Sequence, residues 1–334
     1  MSEATISYVV LCHDNAPQVL RLARTIRAIS SRSRVLIRHN QPPGFIDPPA
    51  AEASGAELLV SAIPCRWGHW SLVEATLEAF RRASELHDPD WIVLISGQDY
   101  PIRPLEPWET SLLSDGYDAM MSGEPLVDGH AGMTPGRNRE RLKMRYTHRW
   151  HWLPRLNVIS RLPLLMTRSV RRLWFKCLYP LQAVVVLNQL PRNEGWVLGI
   201  RRRAVRWSKE RPIYKGSQWM ALSRRAVATC VGGPETTDAR DYFATTLVPD
   251  EAYFQTVLAG APDLRIRWEP ISWLRWQSDL VPHPDVIDES SLAIAVRAGT
   301  PFARKFDEST TPGILDLIDQ TLLFGPAARW RATA

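Results

Sequence analysis

The 334-residue sequence predicts a mixed α/β fold built on a central, mostly parallel sheet flanked by helices. Three observations carry this. Short apolar runs of strand length recur along the first hundred residues, amphipathic helical patterns alternate with them, and the last such run ends abruptly in small and polar residues. The run "ISYVVLCHDN" (Ile6–Asn15) reads as a strand buried on both faces. Pro17 then opens a helix whose Val19, Leu22, Ala23 and Ile26 follow helical spacing. "RVLIRHN" (Arg34–Asn40) is a second strand, stopped by "QPPG", and "ELLVSAI" a third. "SLVEATLEAFRRASEL" (Ser71–Leu86) is a helix with Ser71 predicted as N-cap and Glu74 completing the capping spacing. "WIVLISGQDYPIRP" (Trp91–Pro104) returns to the sheet. Strands that alternate with helices make parallel pairs whose crossovers cover both faces.

Charge is distributed unevenly. Residues 141–215 hold eighteen lysines and arginines against Glu194 and Glu210, a segment charge of +16 in a chain whose formal total is +6. This basic insert contains "LWFKCLYPLQAVVVLNQLP" (Leu173–Pro191), too interrupted by Lys176 and Pro180 to span a bilayer, and readable as an interfacial helix or as a buried helix beneath a solvated basic face. Contact with an anionic membrane through residues 141–215 is one expectation, and contact with an acceptor is another. No nucleic-acid motif accompanies the charge, so nucleic acid is not an expected partner. Cys12, Cys65, Cys177 and Cys230 form no Cys-x-x-Cys pair, which argues against a zinc knuckle or a disulfide framework. The opening residues show neither a basic start nor a long apolar run, and the expected location is cytoplasmic, peripheral to the inner face of the membrane.

In open parallel sheets, ligands bind beyond the carboxyl ends of the strands. His13, Asp14 and Asn15 end the first strand, His39 and Asn40 the second, and Ser96, Gly97, Gln98 and Asp99 the strand that begins at Trp91. Polar groups thus collect along one edge, as a nucleotide-sized ligand requires, although neither Gly-x-Gly-x-x-Gly nor a Walker loop is present. Asp88-Pro89-Asp90 has the lettering of a metal-binding Asp-x-Asp, but it precedes its strand and lies at the wrong edge. A single carboxylate at the right edge makes a poor site for Mg²⁺ or Mn²⁺.

"RWGHWSLVEATLEAFRRA", "WIVLISGQDYPIRP", "YKGSQWMALSRRAV", "VPDEAYFQTVL" and "FARKFD" occur in an order that resembles the core-2/I-branching N-acetylglucosaminyltransferases and peptide O-xylosyltransferases of glycosyltransferase family 14, in a bacterial-type member. The resemblance runs from about Ile6 to Asp319 and skips much of 150–210. It implies a GT-A (Rossmann-like) fold, a UDP-linked donor carrying a sugar of the GlcNAc or xylose class, inversion at the anomeric carbon, no cofactor and no required divalent metal. It also implies that the acceptor is a glycan, glycolipid or small molecule. By the same resemblance Glu251 is the catalytic carboxylate, and Lys305, with Arg304 beside it, faces the donor diphosphate. His13, Asn40, Trp67, Gly68, Ser96, Gly97, Gln98 and Asp99 fall on the donor side, with Asn40 standing where the family often carries Asp. Arg141 and Lys143 of "ERLKMRY", together with Ser217, Gln218, Trp219 and Trp273, fall on the acceptor side.

The chemistry asks for these residue types. An inverting transfer needs a carboxylate to take the proton of the attacking hydroxyl and fixed cations to stabilise the departing diphosphate. Without the resemblance, Glu251 reads as a first-turn helix acid and Asp250 as the helix N-cap. Indoles suit sugar rings, and Trp150, Trp152, Trp207, Trp219, Trp268, Trp273 and Trp276 all lie beyond the nucleotide half. The expected organisation is 1–125 as the nucleotide-sugar half, 126–210 as the partly helical basic region, and 211–325 as the catalytic and acceptor half. Rival readings are a non-catalytic, anion-binding or peripheral-membrane protein on a degenerate transferase scaffold, a glycosidase using Glu251 with Asp99, and a nucleotidyltransferase.

Overall fold

The computed structural model describes residues 5–40, 45–126, 137–153, 185–190, 195–205, 207, 210–233, 236–276 and 284–324. The apolar runs form β1 (Ile6–Cys12), β2 (Ser33–His39), a short β3 (Glu57–Leu59) and β4 (Trp91–Ser96). These pair in parallel, with β1 between β2 and β4, and Ile6 lies opposite both Ser33 and Trp91. Three further strands complete a seven-stranded sheet of order β11-β6-β10-β4-β1-β2-β3: β6 (Ala119–Pro125), β10 (Tyr214–Ser223) and β11 (Ile266–Arg267). Only β10 runs antiparallel to its neighbours, so the sheet is mostly parallel as expected.

Period-two alternation explains why these strands are apolar throughout. Tyr8, Val10, Val35, Ile37, Val93 and Ile95 enter one core with Val19, Leu22 and Ile26 of α1 (Ala16–Ile29). Val9, Leu36, Ile92 and Leu94 enter the opposite core with Val73, Leu77 and Phe80 of the helix Ser71–His87. The sheet is therefore covered on both sides. A small sheet of β5 (Tyr100–Pro101), β13 (Phe302–Arg304) and β12 (Ser272–Leu274) lies just past the tip of β4.

Two local expectations are corrected. Ser71 does not cap its helix: it is the first helical residue after Trp70, and its hydroxyl accepts the Arg66 amide instead, at 3.0 Å. The described part of the basic region holds both a helix and a sheet, and the departure is at Val185–Gln189. After α5 (Arg137–Thr147), β7 (His148–Leu153), β8 (Val185–Gln189) and β9 (Trp196–Arg201) pair antiparallel in the order β7-β9-β8. Val185–Gln189, expected to close a helix, follows the strand preference of its valines. Most of Leu173–Pro191 lies outside the described residues, as does Cys177.

The close approach of β4 to β1 depends on Gly97. A β-carbon there would meet Val19 Cγ2 at 2.7 Å and Cys12 Cβ at 2.9 Å. Gly97→Ala is expected to destabilise the fold by about 1–3 kcal/mol through overpacking, read as an earlier denaturant midpoint with unchanged slope.

Candidate active site

Because β10 runs against the others, its first residues share an edge with the carboxyl ends of β1, β2, β4 and β6. His13 follows β1, half exposed, with Nε2 3.4 Å from Asp14. Asn40 follows β2, where its side chain acts as a backbone substitute: Oδ1 accepts the Cys65 amide at 2.8 Å and Nδ2 donates to the Cys65 carbonyl at 3.1 Å. Behind it the buried Arg38 donates to Cys65 Sγ, Ser61 Oγ and the Ile63 carbonyl. Together they brace the loop that leads to Trp67 and Gly68. Trp67 packs against the cluster of Trp150, Leu190, Val197, Leu247 and Val248, and the Gly68 carbonyl accepts the Val248 amide at 2.9 Å.

At the tip of β4, Asp99 is fully buried. Its Oδ2 accepts from the amide and hydroxyl of Ser96, and its Oδ1 accepts from Ser272 Oγ at 2.6 Å. Gln98 is held through its backbone, its amide donating to Ser96 Oγ and its carbonyl accepting from Phe306. Gln18 adds a second tie, donating to the carbonyls of Gly97 and Phe306. Arg304 on β13 reaches into this junction. Its guanidinium stacks on Trp219 at 4.5 Å, with Nε 3.9 Å from Asp99 and no hydrogen-bond partner for that nitrogen among the described residues. Burial pushes its pKa down, against the opposing pull of Asp99 and Glu251. Lys305 follows directly, with its backbone bonded to Asp285 and Ile287.

Glu251 closes a single 3-10 turn, Pro249–Glu251, just before α8 (Tyr253–Ala259). Val248 enters the turn at φ 57, a left-handed conformation that a β-branched residue adopts only under strain. Asp250 is correspondingly not an N-cap: it is buried inside the turn, and its Oδ1 has no hydrogen-bond partner among the described residues. Burial and the neighbouring Glu251 push its pKa up to about 7. Glu251 is a third exposed, and its Oε2 lies 3.2 Å from Arg145 Nη1 and 3.7 Å from Lys215 Nζ.

The acceptor-side candidates divide. Arg141 and Lys143 lie on α5, the helix that carries Arg145. Ser217, Gln218 and Trp219 follow Lys215 on β10, where the register shifts between Gly216 and Met220. Ser217 accepts from Gln255 through its carbonyl, and Gln218 faces Thr76. Trp273 lies on β12, opposite Ala303 and packed on the core. Arg145 and Lys215 lie inside the stretches "ERLKMRY" and "YKGSQWMALSRRAV" without being singled out there; the fold brings them to one carboxylate. Trp268 emerges as an exposed platform, stacked on Tyr214 at 5.0 Å and 7° and lying over Gly123, where a β-carbon would collide with it at 2.3 Å. Among the described residues no three His, Cys, Asp or Glu side chains cluster to hold a metal ion, and no helix is long and apolar enough to cross a membrane.

This edge coincides with a recognisable sequence signature. Residues 196–292 match the family model described as Core-2/I-Branching enzyme. That span contains Lys215, Ser217, Gln218, Trp219, Glu251, Trp268 and Trp273, whereas Arg145, Asp99, Arg304 and Lys305 lie outside it. A beta-glucuronosyltransferase of Arabidopsis thaliana, GlcAT14A, is 33% identical over 117 residues, a match covering 33% of this chain and 25% of the plant protein. The chain therefore matches about a quarter of that relative's length. Among solved structures, a mycobacterial protein aligns at TM-score 0.30 and 14% identity, covering 73% of this chain and 64% of that one. HddC from Yersinia pseudotuberculosis complexed with GMP-PN aligns at TM-score 0.30 and 12% identity, covering 68% and 80%.

The raised pKa of Asp250 links stability to pH. The folded state retains a proton that the unfolded chain loses near the ordinary value of 3.8, so stability declines as pH rises from about 4 to about 7. Asp250→Asn is expected to remove this decline and to be the more stable protein at pH 8, by a few kcal/mol. Parallel denaturant melts of both proteins at pH 5 and pH 8 measure the difference.

Proposed function

We propose that the protein is an inverting glycosyltransferase that moves a sugar from a UDP-linked donor to an acceptor hydroxyl, with Glu251 as general base. The observation that carries this reading is the placement of Glu251 at the ligand-binding edge of the sheet, in reach of Arg145 and Lys215 and within the field of Arg304. The family match over residues 196–292 and the plant glucuronosyltransferase support it.

The reaction is a single displacement. The acceptor oxygen bonds to the anomeric carbon as its proton passes to Glu251, and the bond from that carbon to the diphosphate oxygen breaks with its electron pair leaving on the diphosphate. Negative charge grows on the leaving group. Arg304 and Lys305 supply the compensating cations, so no divalent metal is required in this proposal. Arg304 is suited to the task because stacking on Trp219 and the nearby Asp99 carboxylate hold its guanidinium in one place. Trp268 and Trp273 offer indole faces for acceptor sugars. The donor sugar belongs to the GlcNAc, xylose or glucuronic acid class, and the acceptor is a glycan, glycolipid or small molecule.

A peripheral membrane contact adds to this reading. Arg149, Arg201 and Arg203 are exposed beside exposed Ile200 and Val205, an apolar and basic surface of the kind that anionic headgroups attract at a cytoplasmic leaflet. Flotation with anionic vesicles at low salt is expected to carry the protein upward, and neutral vesicles are not. Protein that stays at the bottom with both removes the membrane contact and leaves the transferase reading intact.

The donor site is tested by thermal shift against UDP, UDP-GlcNAc, UDP-xylose, UDP-glucuronic acid and GDP-mannose, each in EDTA and with Mn²⁺. A UDP compound at 100 times its dissociation constant is expected to add about 2.7 kcal/mol of folded-state stability in EDTA, in wild type and Glu251→Gln alike. Stabilisation that appears only with Mn²⁺ would sink the metal-free part. No shift with any nucleotide would sink the donor site itself.

A further inference from the structure

Glu251 is held asymmetrically. Arg145 and Lys215 both approach Oε2, while Oε1 has no partner among the described residues. The two cations come from elements far apart in sequence, and each is anchored to the segment that carries the carboxylate. The Arg145 carbonyl accepts the Leu247 amide at 3.0 Å, and Tyr146 donates to the Val248 carbonyl at 3.2 Å, which fixes the end of α5 against the residues entering the 3-10 turn. On the other side, Tyr214 donates its amide to Thr256 Oγ1 at 3.0 Å and accepts from that hydroxyl at 3.3 Å, which fixes the start of β10 against α8. Glu251 lies between these two anchors. A carboxylate hydrogen-bonded by Arg145 at one oxygen, with the Lys215 ammonium 3.7 Å from that same oxygen, is biased about its last torsion toward leaving the other oxygen open.

We propose that Arg145 and Lys215 are positioning residues that hold Glu251 Oε2 and thereby assign proton acceptance to Oε1. This rests on the reading of Glu251 as general base. The acceptor hydroxyl donates its proton to Oε1, forms its bond to the anomeric carbon, and the diphosphate departs with the electron pair. Holding the base within a few tenths of an ångström matters because small misplacement of a reacting group lowers turnover without lowering affinity. Loss of the grip therefore falls on kcat, whereas a residue that bound acceptor directly would show itself in KM.

The experiment measures UDP release from the UDP-sugars above with methyl β-D-galactopyranoside or water as acceptor, for wild type, Arg145→Gln, Arg145→Lys, Lys215→Met, Lys215→Arg and Glu251→Gln. Expected are a roughly tenfold or greater loss of kcat in Arg145→Gln and Lys215→Met, KM values for donor and acceptor within about twofold of wild type, and recovery to within about threefold in Arg145→Lys and Lys215→Arg. Wild-type kcat in both neutral variants overturns the proposal. So does a raised acceptor KM with kcat retained, which makes these residues acceptor ligands. Should Arg145→Gln fail to fold, the Lys215 pair decides alone. Full turnover in Glu251→Gln, or no UDP release by wild type from any donor, sinks the general-base reading itself and is distinguishable from the other outcomes.

Discussion

The buried carboxylate of Asp99 is the contact on which the junction of the two sheets depends. It gathers Ser96 at the end of β4 and Ser272 at the start of β12, and it draws Arg304 of β13 toward the same point. A charge with no exposure is tolerated inside a protein only when hydrogen bonds and an opposite charge surround it. Asp99 has three donors and one nearby cation. The small sheet is thereby fastened to the large one where the large one ends, and Arg304 is carried onto Trp219 and into the field of Glu251. Had Asp99 been apolar, the guanidinium would keep its stacking on Trp219 but lose the carboxylate 3.9 Å from its Nε.

A second constraint acts through backbone rather than charge. The Asn40 side chain holds Cys65, the loop beyond it presents the Gly68 carbonyl to Val248, and Val248 turns through a left-handed conformation into Pro249–Glu251. Strain of this kind, on the order of 1–3 kcal/mol, persists only where the surroundings over-determine the chain. Here they do so from three directions: the loop after Gly68, the end of α5, and the buried face of Asp250. The carboxylate that the fold presents at its edge is thus aimed by neighbours that need never touch a ligand.

Much of this architecture is legible in the sequence because burial on both faces leaves a plain mark. β1, β2 and β4 read as continuous apolar runs, and the stripe Val73, Leu77, Phe80 announces its helix. What the sequence leaves unread are choices between competing partners. Ser71 satisfies a local capping rule, yet the Arg66 amide claims its hydroxyl. Asp250 has the lettering of a cap, yet it is folded inward. The apolar stretch Leu173–Pro191 reads as helix, while its Val185–Gln189 joins β7 and β9 in a sheet whose pairing spans segments no local pattern connects. Glu251 and Lys305 are nominated by a family resemblance, and Arg304 as the neighbour of Lys305. Arg145 carries no such mark, since an arginine on a basic helix is unremarkable until its neighbour is known.

The single antiparallel strand has a consequence for how the chain is made. β4 is a strongly apolar strand, and its partner on one side, β10, emerges from the ribosome only after the whole central region has been synthesised. At ordinary elongation rates the intervening stretch of roughly 120 residues takes about 6–25 s. Throughout that interval the nascent amino-terminal half presents the unpaired edge of β4, which is a template for strand addition by any neighbouring chain. The order of synthesis thus leaves the apolar edge of Trp91–Ser96 open to wrong pairing until β10 arrives.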